Sequence, residues 1–422
     1  MSTALNFLLA ARRCEVEELS SLARTCELIC VASELIHCLQ HERGASNLFL
    51  ASQGKRYAAL RSERIQATGV AYNSLLARLV DGDQPAQLSG GVRLYTKIAM
   101  ALHALDELPN IRGRVGELLH TPATVTAQYR QVVEALLALI FEAADVAVDP
   151  DISRLLVALF HLMQGKEWAG QERATGAAAY AAGRISAEQV QTIEYLTEMQ
   201  EQALQRFELF ASAAGGTSGL KVPDPGQELL RMRQVLLESV KGSLQPDNSD
   251  AWFDACTQRM DGFHGVEMQL ATRLKQLCED KIRKLIRGVN PQEQDLNALE
   301  TPEVISPLNA FATGLEPEKL FAPLDGQGNG TGPVNQALLD VLRAQSDRLH
   351  HLTEELNSVK ASLDERKVIE RAKGILMMHR GLDEESAYRM LRKTAMDQNR
   401  KLAEVARSVL SLADLLPGGK AQ

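Results

Sequence analysis

Residues 338–363 read LLDVLRAQSDRLHHLTEELNSVKASL. Leu338, Leu342, Gln345, Leu349, Leu352, Leu356, Val359 and Leu363 recur in alternating steps of four and three, which keeps them on one seam of a helix. This heptad run predicts a coiled coil, and a homodimer, with Gln345 as a polar core position that fixes register at some expense in stability. The helix is expected to continue, with Val368, Ile369, Ala372, Ile375 and Leu376 as its next apolar stripe. Gly381 ends it and Asp383 caps the next helix, whose inward face is Ala387, Met390, Leu391 and Thr394. After a break at Asn399, Leu402, Val405, Ala406, Val409, Leu410 and Ala413 line a third helix. The tail reads as a three-helix bundle on a coiled-coil stalk.

Upstream of the seam, Pro291, Pro302, Pro307, Pro317, Pro323 and Pro333, with the glycine-rich run 326–332, read as a linker. Before it the apolar period is helical nearly throughout. Breaks at Gly54, Pro85, Pro109, Pro122, Pro150, Gly183, Pro223 and Pro246 space about eight helices, and Asp149-Pro150 looks like a helix start. Glu42-Arg43-Gly44 and Glu172-Arg173-Ala174 each lead into a helix that ends on a glycine, and the two arginines stand 130 residues apart. This is the mark of an internal repeat. The expected fold is all-α: two four-helix bundles (1–290), a Pro/Gly-rich linker (291–333), then the coiled-coil helix leading into a three-helix bundle (334–422, core 356–416).

The 422 residues carry a net charge of -8, which argues against a chain that coats nucleic acid along its length. The charge is uneven, however. Residues 366–407 hold 11 basic against 6 acidic side chains, the asymmetry expected of a module for an acidic partner. The apolar patch from Leu5 to Ala11 precedes Arg12-Arg13 instead of following it, unlike a secretory signal, and no apolar run has the length of a membrane span. A cytoplasmic protein is expected, with its six cysteines as reduced core thiols, none in CxxC spacing. A metal site made with His37 and His41, which share a helix face, is the less favoured reading of that region. No nucleotide-binding, zinc-protease or paired-carboxylate motif is present, so no enzyme, cofactor or resident metal is expected.

Glu370-Arg371-Ala372-Lys373-Gly374-Ile375-Leu376-Met377, then Gly381, Asp383 to Tyr388, Leu391-Arg392-Lys393 and Leu402 to Ala406, resemble the ANTAR domain, an RNA-binding output module of bacterial antiterminators. Residues 6–285, with His41-Glu42-Arg43-Gly44-Ala45-Ser46, Trp252-Phe253 and Thr257 to Asp261, are similar to the nitrate- and nitrite-sensing NIT domain. Together they resemble the NasR-type nitrate-responsive antiterminators. The resemblance implies a sensor for nitrate or nitrite, and an output that binds paired leader-RNA hairpins to prevent transcription termination, here of nitrate or nitrite assimilation genes.

The residues support each half. Nitrate is a planar anion, and converging guanidinium forks suit it better than ammonium points. The resemblance favours Arg43 first and Arg173 next; Arg233 follows by spacing, with Arg231 and Arg259 as weaker candidates, and His41, Ser46 and Trp168 as possible lining. The rival reading is structural: Glu42 pairs with Arg43 and Glu172 with Arg173, tying helices together. Reversing the charge of Arg43 is expected to abolish the response and spare the fold. In the tail, Arg366, Lys373 and Arg380 fall at i, i+7 and i+14, one cationic stripe, and Arg392, Lys393, Arg400 and Lys401 extend it. Few aromatics disfavour stacking on single strands and favour a folded hairpin. Gly374, mid-helix, suggests close approach of another helix or of RNA backbone. The acidic sensor is expected to mask the stripe until ligand binds. Competing functions are a DNA-binding regulator and a helical adaptor.

Overall fold

The computed structural model describes the backbone of residues 3–81, 84–213, 220–239, 243–297, 333–398 and 400–413. It is all-α, apart from a two-rung antiparallel ribbon pairing Val80–Asp81 with Gln84–Pro85. Among the described residues, nine helices form the N-terminal part: α1 (Thr3–Ala51), α2 (Ala58–Leu79), α3 (Gly91–Leu105), α4 (Leu108–Gly116), α5 (Pro122–Val146), α6 (Pro150–Ala181), α7 (Ala187–Ala213), α8 (Gln227–Glu238) and α9 (Asn248–Asn297). Helix α9 thus extends into the stretch read as linker; residues 298–332 of that stretch lie outside those described. The tail forms α10 (Pro333–Arg380), α11 (Glu384–Asp397) and α12 (Leu402–Ala413). The chain divides into two compact units: Met1–Glu17 with Lys281–Glu354, and Glu18–Asp280 with Glu355–Gln422. The candidate site residues described below lie in the second.

Local chemistry sets the joints. Asp149 accepts from the backbone N–H groups of Asp151 and Ile152, and Pro150 opens α6. Thr121 caps α5 in the same way ahead of Pro122. Gly183 and Gly381 adopt φ of 66° and 63° just past α6 and α10, the left-handed conformation that lets a helix stop without a Cβ penalty.

Helix α6 is the common wall of the two bundles. It is buried on most of its faces: its first half is largely apolar, whereas its second half buries the charged Lys166, Glu167, Glu172 and Arg173. Its first half packs with α5, and its second half joins α7, α8 and α9 in a core that includes Tyr180, Ile193, Leu236 and Trp252. In the tail, Ala372, Leu391, Ala395, Val405 and Ala406 form the centre of the expected three-helix bundle, flanked by Val368, Ile369, Leu376, Leu402, Val409 and Leu410. Asp383 caps α11 by accepting from the Ser386 N–H at 2.9 Å. Val359 and Leu363, the last two seam positions, are already buried within the single chain. The side chains of 338–352, which carry the rest of the seam through Leu352, lie outside those described.

Candidate anion site and nucleic-acid interface

Arg43 on α1 and Arg173 on α6 are 1% and 2% exposed. Glycines make the room. A Cβ at Gly44 would stand 2.7 Å from Arg173 Nη2 and 2.9 Å from the Phe253 ring, and a Cβ at Gly170 would run into Arg43 Nη2. Each guanidinium fills the notch that a glycine leaves on the other helix.

Their charges are treated differently. Arg43 donates to both oxygens of Glu167, at 2.6 and 3.2 Å. Arg173 donates to Thr257 Oγ1 and to the Gln40 carbonyl, each at 2.8 Å, and lies over the Phe253 ring at 4.5 Å. Both of those acceptors are neutral, and among the described residues no carboxylate forms an ion pair with Arg173. Burial, reinforced by the neighbouring charge of Arg43, pushes its pKa down to about 10. The two arginines line a cleft of about 460 Å³ with Gly44, Asn47, Thr126, Arg130, Gly170 and Phe253. Arg130, on α5, is a cleft cation that sequence reading missed: it follows Gln128-Tyr129, with none of the Glu-Arg-small pattern that singled out the other two.

The glutamates next to the arginines do not pair with them. Glu42 accepts from Arg112 at 2.7 and 2.9 Å and from the Tyr129 hydroxyl at 2.6 Å. Glu172 accepts from Arg233 at 2.7 and 3.0 Å and from Gln200 at 2.7 Å. Consecutive helical residues point about 100° apart, so Glu42 and Arg43 serve different neighbours. In both halves of the repeat, an arginine from a later helix takes the glutamate and leaves the adjacent arginine to the cleft. The wiring assigns Arg233 to Glu172, and Arg233 is not among the cleft residues. Arg231 is exposed and forks onto Glu228. Arg259 reaches Gln200 Oε1 and the Pro223 carbonyl. His41, Ser46 and Trp168 do not line this cleft.

The cationic stripe of α10 is partly covered. Arg366 is 11% exposed and lies over the Phe160 ring at 4.8 Å, in a crevice with His161, Trp168 and Arg206. Burial holds its pKa below the ordinary guanidinium value. Lys373, also buried, pairs with Glu370 at 2.9 Å and Glu384 at 2.8 Å. Arg380, Lys393 and Lys401 are exposed. Arg400, exposed as well, pairs with Glu404 of its own bundle at 3.5 Å. The contact surface is polar: Lys367 reaches Asp145 at 2.7 Å, Tyr388 donates to Gln202 at 3.1 Å, Thr192 donates to Glu385 at 3.2 Å, and Arg392 pairs with Glu198. Among the described residues, no other element comes within 4 Å of where a Gly374 Cβ would stand, so no close helix crossing seen there explains that glycine.

Two buried arginines lining a helical cleft, in a chain that also carries a cationic three-helix module, are the arrangement expected of a one-chain anion sensor with a nucleic-acid output. Comparison with known proteins agrees. The family model "Nitrate and nitrite sensing" matches residues 34–275, and the ANTAR domain model matches 357–410. A nitrate regulatory protein of Klebsiella oxytoca is 32% identical over 406 residues, covering 96% of this chain and 94% of that protein. The solved structure of the NasR transcription antiterminator aligns with a TM-score of 0.59 at 28% identity, covering 98% of this chain and all of that one. The chain belongs to the nitrate- and nitrite-sensing family whose sensor is joined to an ANTAR output domain.

Proposed function

We propose that this protein is a nitrate- or nitrite-responsive positive regulator that binds paired leader-RNA hairpins and prevents transcription termination, acting in the cytoplasm on nitrate or nitrite assimilation genes. The observation that carries the sensing half is Arg173. A fully buried guanidinium with only neutral acceptors, beside a second guanidinium and facing a cleft, is a charge awaiting an anion. Arg43 and Arg173 hold that anion, with Arg130 at the rim; Arg233 contributes indirectly by occupying Glu172. No helix among the described residues is long and apolar enough to cross a membrane.

The output half is read in a docked state. Arg366, Lys373 and Arg392 are engaged by other residues of the chain, while Arg380, Lys393, Arg400 and Lys401 remain toward solvent. Docking covers Arg366 and Arg392, while Lys373 pairs within the tail itself, so the docked state withholds part of the row of phosphate contacts on which affinity depends. Anion binding draws Arg173 and its neighbours on α6 toward the ligand and favours release of the tail. The shift can be no larger than the difference in anion affinity between docked and released states. Released tails then pair through the 338–363 seam into a homodimer that fits paired hairpins. Gel-shift titration of hairpin leader RNA against duplex DNA, with and without nitrate, tests the reading. Nitrate-dependent binding of the hairpin is expected; preference for the duplex would favour a DNA-binding regulator, and no binding of either would favour a helical adaptor.

A further inference from the structure

The sensor repeat is not symmetric at two positions. In the second half, Glu167 and Gln171 serve the ligand arginine: Glu167 pairs with Arg43, and Gln171 donates to Glu167 at 3.1 Å. The equivalent positions in the first half, 130 residues earlier, are His37 and His41. They sit one turn apart on α1 and face Asp261 on α9. His41 Nε2 is 3.1 Å from Asp261 Oδ1, and one ligand atom from each of the three residues lies within 4.8 Å of the other two. His37 Nδ1 is buried with no hydrogen-bond partner among the described residues. A buried polar atom left without a partner is uncommon, so it calls for an explanation.

We propose that His37, His41 and Asp261 form a binding site for a divalent transition-metal cation of the zinc class, separate from the anion cleft. Two imidazoles and one carboxylate suit such ions, whereas magnesium and calcium prefer all-oxygen shells. Ligand bonds of about 2.0–2.1 Å in tetrahedral geometry put ligand atoms about 3.4 Å apart. The His41–Asp261 leg is already that short, and with the three ligand atoms within 4.8 Å of one another, closing the site calls for a shift of at most about 1.4 Å at His37. Asp261 is 55% exposed, which opens the fourth position to solvent and gives the ion a route in.

The surroundings fix the ligands as outer-shell groups do in metal sites. His264 stacks on His37, with ring centroids 3.7 Å apart and planes at 5°. Both nitrogens of His264 are engaged, by Glu34 and Glu267 at 3.2 Å each, so it orients His37 instead of competing for the ion. Glu267 is itself held by Lys166 at 2.5 Å and Ser33 at 3.3 Å. The ion would replace the lone His41–Asp261 hydrogen bond and pin α1 to α9.

The test is titration of the untagged, chelator-treated full-length protein with Co²⁺ and with Zn²⁺, following visible absorption for cobalt and heat for zinc. One ion per chain is expected, with the intense visible bands of low-coordinate cobalt. His37→Ala and Asp261→Asn should each weaken binding at least about tenfold, roughly 1.4 kcal/mol. Circular dichroism confirms that both variants stay folded; Asp261→Asn is the milder change, because Asn can still accept from His41. Binding that survives both substitutions, or no saturable binding by the folded wild type, overturns the proposal.

Discussion

Replacing Arg173 and Arg43 in turn by methionine separates a ligand charge from a structural one. Depression of the Arg173 pKa from 12.5 to about 10 corresponds to roughly 3 kcal/mol disfavouring its charged form in the buried site. Arg173→Met removes that penalty along with two hydrogen bonds to neutral acceptors, each worth about 1 kcal/mol net. The two effects nearly cancel, so the variant should stay within about 2 kcal/mol of wild type. Arg43→Met instead leaves Glu167 buried without its cation, a change that typically costs about 3–5 kcal/mol. The assay is thermal unfolding with and without nitrate. At about 100 times its dissociation constant, nitrate should stabilise the wild type by about 2.7 kcal/mol, or about 5–10 °C if the N-terminal bundles melt as one unit. Arg173→Met should lose that shift while keeping its ligand-free stability. If it keeps the nitrate shift, or loses as much stability as Arg43→Met, Arg173 is a structural residue and the anion reading fails. The same comparison corrects the expectation for charge reversal: Arg43→Glu would bury two carboxylates at Glu167, so it should harm the fold as well as the response.

Further tests follow from named contacts. Gly44→Ala places a methyl 2.7 Å from Arg173 Nη2 and 2.9 Å from the Phe253 ring, so both side chains must shift; the fold should lose about 1–3 kcal/mol, while nitrate affinity drops at least about tenfold by isothermal titration. Asp145→Asn with Glu198→Ala removes the partners of Lys367 and Arg392, so hairpin RNA should bind without nitrate in a gel-shift assay. The Asp145 contact also has a pH sign. Burial opposes its charge, but hydrogen bonds from Lys367 and Arg93 outweigh burial and lower its pKa. Its contribution is therefore complete above the unfolded value of about 3.9 and is lost as pH falls through the lower folded value, so acid release of the tail should appear only below about pH 4, by limited proteolysis. Leu342→Asp with Leu349→Asp breaks the seam and should leave a monomer in sedimentation, with weakened binding to paired hairpins.

What the sequence determined by itself was local. The all-α class, the caps at Asp149 and Asp383, the glycine stops at 183 and 381 and the core of the tail bundle follow from helical periodicity and end chemistry, which act within a few residues. Arg43 and Arg173 stood out through a motif repeated at a fixed distance. Tertiary structure decided which charges are free. Glu42 sits beside Arg43 in the chain yet pairs with Arg112, and Glu172 sits beside Arg173 yet pairs with Arg233, because adjacent helical residues face different neighbours. That wiring assigned Arg233 to Glu172, brought Arg130 to the cleft rim and left Arg173 with neutral acceptors. The covering of Arg366 by the Phe160 ring, and of Arg392 by Glu198, was likewise decided by docking between segments about 200 residues apart. A cationic stripe shows in the spacing of its residues; whether it is open or covered depends on what folds against it.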